Sequence, residues 1–531
     1  MSYDIPLEVR LKEAELIVSA EVEKQICTFD DDEKSIYTLN KFRIFNSMST
    51  LNPIDSIWVV TEGGQVGQMG RTVYGSAKIF LGQRGTFLLK KEGNLTFKKV
   101  IEAPIYRIAF EALGIIPEST NQTEQIIKRS NIFIDSLSPL EIVGGMQEIT
   151  ILGKGFGASR GNSFVSFTTD GSNYFTSTQA QNFDYKVWTD NKIVLEMPQA
   201  FSGKVRVHVG SDVGESSGVL KVKANIGTVS LNPRDYFYLV NQNQSGGYTW
   251  NIHGSLYKDP EAIRCIEGVF KEFRCKTGVN YKLTRTPVWV GANLGDGINT
   301  ILYDSTGYEL PNGVVAYYEQ LWYSCILGGY TFYYVYGQEL RISRKFNYYF
   351  GKGKIPQGKN AKLSYVLFHE LGHSLQLGHV NEDGESMHPV VQNLPADLWN
   401  ERDTLSKYDV LAGKHMVDLS RSFTFRACNV NPMSIIDQCE NIYEESNLIA
   451  SQVNYRKLLV LPNPSFGNAV LANLGDDITE IKIIDNSGRM VSEFVTEQDS
   501  IELPSLSMGN YILMVQNKKG IRNCRWVSMG N

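Results

Sequence analysis

The chain has 531 residues, 42% hydrophobic and 21% charged, with a formal net charge of −5. That length implies about three to five domains with cores of their own. The balanced charge excludes a polybasic nucleic-acid or membrane-surface protein. No apolar run reaches the roughly 18 residues of a spanning helix, so no transmembrane segment is expected. The opening residues, Met1-Ser2-Tyr3-Asp4, have neither a basic start nor an apolar stretch, so no signal peptide is expected in this chain.

Residues 1–128 read as a β-rich domain. Leu16, Val18, Ala20 and Val22 alternate with polar or small residues, and further strands are predicted over 35–45, 56–61 and 86–90. Gly63-Gly64 punctuates them as a turn, and a small barrel or sandwich is expected. The run Asp30-Asp31-Asp32 reads as a solvated loop rather than a cation site.

Residues 131–224 form a second β unit. Ile132-Phe133-Ile134 leads to Ser138-Pro139, then to Ile149-Thr150-Ile151-Leu152 and the glycine-rich Gly153-Lys154-Gly155-Phe156-Gly157. Strands through Trp188–Ile193 and Gly203–Val207 follow. This order of features resembles the IPT/TIG domain. The resemblance implies an immunoglobulin-like β-sandwich acting as a spacer or adhesive module, and a plain spacer is the expectation.

Residues 228–425 change to a mixed α+β pattern. Tyr248–Ile252 reads as a strand. Asp259 can cap a helix that starts at Pro260, carries Ala262, Ile266, Val269, Phe270 and Phe273 at helical spacing, and ends at Gly278. Strands are predicted over 287–290, 314–318 and 339–342, and helices over 361–377 and 405–414. Of seven cysteines, Cys265 and Cys275 lie about 15 Å apart along one helix and cannot bond each other. Cys428 and Cys439 flank a short loop and could pair. Asp296, Asn299 and Asp304 could supply a structural calcium loop, with ordinary turn roles the commoner use.

The chemistry concentrates in one stretch, His369-Glu370-Leu371-Gly372-His373-Ser374-Leu375-Gln376-Leu377-Gly378-His379. His369 and His373 are one helical turn apart, so both imidazoles face one point at which zinc would bind. A third imidazole six residues on requires the chain to turn back, and Gly378 is a residue that permits a turn. Three histidines leave a fourth position for water, as a catalytic zinc site requires. Glu370, beside the first ligand, is the expected base for that water.

This segment resembles the signature of the metzincin clan of zinc metalloproteases, H-E-x-x-H-x-x-G-x-x-H followed by a methionine turn. Glu385-Ser386-Met387-His388-Pro389 supplies the turn, at a spacing similar to the matrix metalloproteinase branch. The resemblance implies that Met387 lies beneath the metal without binding it, and that Pro389, Val390 and Val391 line the pocket for the substrate side chain after the scissile bond. It also implies an edge strand at Glu339-Leu340-Arg341-Ile342 along which substrate lies, and a closing helix from Leu405. Gln376 stands where the signature has glycine. Either the bend occurs there, in a left-handed conformation costing on the order of 1 kcal/mol, or it moves toward Gly378. His388 stands where matrix metalloproteinases often carry tyrosine; a pocket or surface role is expected over ligation. No Pro-Arg-Cys-Gly segment is present, so a cysteine switch is not expected. His208, His253 and His415 read as ordinary strand or helix residues.

After a linker at 426–456, residues 457–531 are again β. Leu461-Pro462-Asn463-Pro464, the strand ending at Asp485 before Ser487-Gly488-Arg489, and Leu506–Tyr511 resemble the C-terminal sorting domain of the type IX secretion system of Bacteroidetes bacteria. The basic Lys518, Lys519 and Arg522 precede the last strand. The expected architecture is therefore multidomain: an α+β metzincin-like catalytic domain flanked by all-β sandwich or barrel domains. The expected function is secreted zinc-dependent endopeptidase, with protein or peptide substrates and the secretion machinery as partners, outside the cell or on its surface. The alternatives are an adhesive surface protein with a silent fold, or a zinc hydrolase of non-peptide amides.

Overall fold

The computed structural model describes residues 2–530 with gaps, the longest at 48–54, 110–114, 118–130, 169–176, 392–402 and 444–457. The first described strand is Ser2–Tyr3 (β1). Strands Leu16–Phe29, Ile36–Ser47, Ser56–Glu62, Ile105–Ile108 and Arg84–Lys91 then pair in that order, and the last pairs back onto the first. Closure into a small barrel removes the open edges. The alternation read from Leu16, Val18, Ala20 and Val22 buries all four inside. At Gly63 the chain leaves the barrel. Its φ of +89° suits glycine, and a Cβ there would lie 2.7 Å from the Arg71 carbonyl oxygen. The hairpin that follows, Gly64–Val66 with Met69–Tyr74 (β2), joins a different sheet.

The next unit is a β-sandwich. One sheet joins Phe133–Ser138, Glu148–Lys154, Lys192–Glu196 and Tyr185–Trp188; another joins Ser177–Gln179, Phe164–Thr168, Arg206–Val209 and Asp212–Glu215. Ile149, Ile151, Val165, Ile193, Leu195 and Val207 are fully buried between them. Its last strand, Lys221–Ile226 (β3), pairs in parallel with Glu141–Gly144.

Tyr248–Ile252 (β4) opens the α+β region. Helix Pro260–Thr277 (α1) starts at an Asp259 cap whose carboxylate accepts the Glu261 and Ala262 amides, and it stops at Gly278 with φ +81°. Its apolar face, Ala262, Ile266, Phe270 and Phe273, is wholly buried. Strands Tyr281–Leu283 (β5), Asn299–Tyr303 (β6), Ala316–Leu327 (β7) and Tyr330–Ile342 (β8) complete an eight-stranded sheet. Its order is β5-β4-β6-β8-β7-β2, then Gly64–Val66, with Phe237–Tyr238 also pairing to β8. β6 runs parallel to β8, whereas β7 is antiparallel to it. Glu339–Ile342 is therefore an interior segment of β8, not the edge strand expected from the sequence. Leu340 and Ile342 are fully buried, and period-2 alternation cannot distinguish an inner strand from an outer one.

Behind the sheet lie helix Leu363–Ser374 (α2), the short strands Leu377–Gly378 (β9) and Val390–Val391 (β10), and helix Lys407–Ser422 (α3). α2 is shorter than the predicted 361–377: Ala361–Lys362 are a short strand, and the helix is capped at Leu375 before the left-handed turn at Gln376. α3 runs to Ser422, beyond the predicted 414, and starts in a reciprocal cap between Ser406 and Asp409. Val288 makes one isolated bridge to His253, and the rest of the strand predicted over 287–290 ends in residues outside those described.

Barrel, sandwich and α+β region pack into one compact unit, residues 1–289 with 300–443. The described residues between 428 and 443, expected to be linker, are fastened to it. Disulfides join Cys275 to Cys439 and Cys325 to Cys428, so Cys428 and Cys439, whose spacing would have allowed a bond, do not pair with each other. The Arg274 guanidinium donates to the Gln438 and Cys439 carbonyls and holds that segment at the end of α1. From Leu459 onward the regular elements of the remaining C-terminal unit are all strands among the described residues. Its core is Ile481, Ile483, Leu513, Val515 and Trp526, all fully buried. Pro462, Pro464, 486–488, Lys518 and Lys519 lie outside the described residues. No described helix is long and apolar enough to cross a membrane.

Candidate metal centre

α2 is buried on all sides, with Tyr365 and every residue from Val366 to Ser374 inside. His369 and His373 sit one turn apart on it, and His379 returns to meet them. The three Nε2 atoms form a triangle with sides of 3.1, 3.1 and 3.2 Å. A tetrahedral zinc ion with Zn–N of ~2.0–2.1 Å sets its nitrogens about 3.3–3.4 Å apart, close to these values. The tautomers follow from the far side of each ring. His369 Nδ1 lies 2.8 Å from the Ser386 carbonyl and His373 Nδ1 2.7 Å from the Leu377 carbonyl. A carbonyl only accepts, so both Nδ1 atoms carry the proton and both Nε2 atoms present lone pairs. Burial drives all three imidazoles well below the ordinary histidine range. Neutral nitrogens converging on one point repel one another unless a cation lies between them, so this donor set fits a divalent metal.

The turn that delivers His379 occurs at Gln376, with φ +65°. Gly378 is not in a left-handed conformation; its lack of a side chain serves packing instead, since a Cβ would lie 2.4 Å from Gln199 Nε2. The strained Gln376 is held by a cyclic amide pair with buried Gln320: Gln376 Nε2 donates to Gln320 Oε1 at 2.9 Å, and Gln320 Nε2 donates to Gln376 Oε1 at 3.1 Å. Gly227 N–H donates to the Gln376 carbonyl at 2.6 Å. The sandwich is thus no passive spacer. Its strand β3 pairs with β9, and buried Asn225 donates to the His379 carbonyl at 2.8 Å and to the Ala200 carbonyl at 2.7 Å. Asn381, two residues past His379, exchanges hydrogen bonds with the Ser202 backbone at 2.7 and 3.1 Å.

Met387 is fully buried below the same helix. Gly372 makes room for it, because a Cβ there would lie 2.3 Å from the Met387 sulfur. Tyr365 donates to the Glu385 carbonyl, and Val380 N–H to the Met387 carbonyl, tying the methionine turn to the helix and to the His379 loop. Glu370, the neighbour of His369 on α2, is fully buried, and burial pushes its carboxyl up. Below the turn, Asp409 is buried, and burial together with the charge of Glu385 pushes it up to about 6.

Val390 and Val391 form β10, which pairs in parallel with β1; Pro389 precedes it half-buried. His388 turns its Nδ1 to the Val390 backbone and is not part of the histidine triangle. Asp304 accepts the Leu310 and Arg344 amides, so it organises a loop; Asn299 lies within β6, and Asp296 lies outside the described residues. His208 stacks on Phe164, His253 caps a short helix and His415 packs edge-on to Tyr236. Sequence reasoning missed Asn225, Gln320 and Tyr74, whose ring stacks on His373 with centroids 4.2 Å apart. Nothing in their local sequence marks them; only the fold brings them to the site.

Residues 459–527 match the secretion system C-terminal sorting domain, and residues 133–222 match the IPT/TIG domain. The chain therefore carries a sorting domain of the type IX secretion system, its partner on export, and is a secreted or cell-surface protein. A solved structure of a protein of unknown function from Bacteroides thetaiotaomicron is similar over 19% of this chain and 24% of that one, with 18% identity and a TM-score of 0.15. The chain thus spans about a quarter of that protein's length. No curated protein matches this chain.

Proposed function

We propose that this secreted or cell-surface protein is a zinc-dependent endopeptidase of metzincin type, in which His369, His373 and His379 hold the ion. The observation that carries the reading is the convergence of three Nε2 atoms within 3.2 Å, two of them fixed as acceptors by Nδ1–carbonyl bonds and borne on a helix that also carries the buried Glu370. A bound zinc ion supplies Lewis acidity toward a peptide carbonyl and makes water easier to deprotonate. Glu370 takes a proton from the attacking water as its oxygen bonds to the carbonyl carbon. It then passes that proton to the departing nitrogen as the C–N bond breaks. A carboxyl pushed upward by burial is suited to both transfers. Val390 and Val391, on β10, form the wall for the residues after the scissile bond in this reading, and Met387 supports the ligand helix from below.

The test is Glu370→Ala, with zinc content and cleavage of fluorescein-labelled casein measured on one preparation. The three imidazoles remain, so zinc stays bound, and cleavage falls by about 10²–10⁴-fold or more, since one residue performs both proton transfers. Cleavage within about threefold of the parent, with zinc retained, removes Glu370 from the mechanism.

A further inference from the structure

A hydrolytic centre must admit an extended peptide, yet His369, Glu370 and His373 each have 0% solvent exposure and His379 is half-buried. The cover is the chain's own. β7 is the outermost strand that the α+β region itself contributes to the sheet, and such a strand would offer a row of N–H and C=O groups to an added peptide. Here that row is taken. β2, from the hairpin that leaves the N-terminal barrel, pairs with β7 from Tyr318↔Tyr74 to Tyr323↔Met69.

The contact is built as an interface. Gly70 lies flat under Trp322, where a Cβ would come within 2.0 Å of the indole. Trp322 Nε1 donates to Thr72 Oγ1 at 3.1 Å. Arg71, 8% exposed, donates to buried Glu319 on β7 at 2.7 Å and to Glu62 of the barrel at 2.9 Å. At the end of β2, Tyr74 stacks on His373 with an interplanar angle of 22°, and Lys78 lies 5.6 Å from the Tyr74 ring centroid. A second segment, β1, lies along β10, the proposed wall for the residues after the scissile bond.

We infer that the N-terminal barrel is a built-in inhibitor. β2 occupies the peptide-binding edge of β7 and Tyr74 covers the metal ligand, so substrate enters as an added strand only after β2 leaves. The inference rests on the peptidase reading for its consequence, but the strand displacement is measurable without it. A tethered strand acts at an effective concentration in the millimolar range, so it suppresses binding of a micromolar free peptide by about 10²-fold or more.

The test uses the full chain with two separate openings. Gly70→Val drives a branched side chain into Trp322, and Tyr74→Ala removes the stacked ring. The probe is a fluorescein-labelled synthetic peptide of residues 68–74, read by fluorescence anisotropy on metal-loaded and metal-free protein. Both variants are expected to bind it at least about tenfold tighter than the parent, and backbone amides of β7 to lose hydrogen-exchange protection. Casein cleavage by the metal-loaded variants should rise in parallel. Equal probe binding by parent and both variants, with β7 protection unchanged, overturns the inhibitor assignment. Tighter probe binding without any cleavage by zinc-loaded variants supports the displaced strand and instead defeats the peptidase reading.

Discussion

Replacing Gln376 tests how the His379 loop is held. The left-handed backbone at this residue, φ +65°, costs an L-residue about 1 kcal/mol relative to glycine. Against that stands the amide pair with Gln320. Gln320 Oε1 would keep the Tyr318 hydroxyl at 3.0 Å, but Gln320 Nε2 has Gln376 Oε1 as its hydrogen-bond acceptor. A buried donor left unsatisfied costs about 1–3 kcal/mol. Gln376→Ala therefore loosens the loop by about 1–3 kcal/mol, keeping the strain and losing the pair. Gln376→Gly recovers about 1 kcal/mol of this, a factor of about five between the two variants. Gln320→Met with Gln376→Gly removes both amides, and Tyr318 still donates to Gln338 at 2.9 Å. That double variant should return to the parent's stability or exceed it. The assay is native-state hydrogen exchange at Gly227, whose N–H donates to the Gln376 carbonyl. Each 1.4 kcal/mol of loosening speeds local exchange about tenfold. If Gln376→Gly alone slows exchange below the parent rate, the amide pair contributes nothing and the reasoning fails. Failure of the double variant to recover would reject it equally.

Three further outcomes are expected. His379→Ala should lose zinc on dialysis while His388→Ala retains it, because only the former belongs to the triangle; metal analysis decides. Asn225→Leu removes the donor to the His379 carbonyl and should weaken zinc by about 10–100-fold in a chelator competition, the usual effect of losing a support behind a ligand; unchanged affinity would make Asn225 merely structural. Asp409, raised to about 6 in the fold against about 3.9 unfolded, holds its proton in the folded state between those values. Stability should fall as pH rises from about 4 to 6, by at most about 3 kcal/mol from this group. Asp409→Asn should flatten that part of the thermal-midpoint profile, and an unchanged slope would refute the assignment.

Much of the fold was legible where a local rule governs. The cap at Asp259, the proline after it and the left-handed Gly278 delimited α1 to the residue, because capping is decided within a few positions. The alternation from Leu16 to Val22 located a barrel strand and its inward face. Local rules failed where partners are distant. β8 alternates like an edge strand, but both of its edges are paired, one by β6 and the other by β7. The cysteine pairing was not legible because Cys428 meets β7 and Cys439 meets α1, at separations of 103 and 164 residues.

The same division runs through the site. His369, Glu370 and His373 share one helix and His379 follows one turn later, so spacing alone assembles the candidate ligands. What keeps His379 in place does not share that locality: Gln320 lies 56 residues before Gln376, and Asn225 lies 154 residues before His379, in the sandwich. The cover is more distant still, a strand from the first barrel laid on β7. A motif of this kind therefore identifies chemistry before it identifies accessibility. The absence of a Pro-Arg-Cys-Gly segment left latency unread in the sequence, while the pairing of β2 with β7 and the stacking of Tyr74 supply another physical route to it. The two halves of the arrangement are separable in principle: the ligands answer to metal analysis, the cover to strand displacement, and neither measurement depends on the other's outcome.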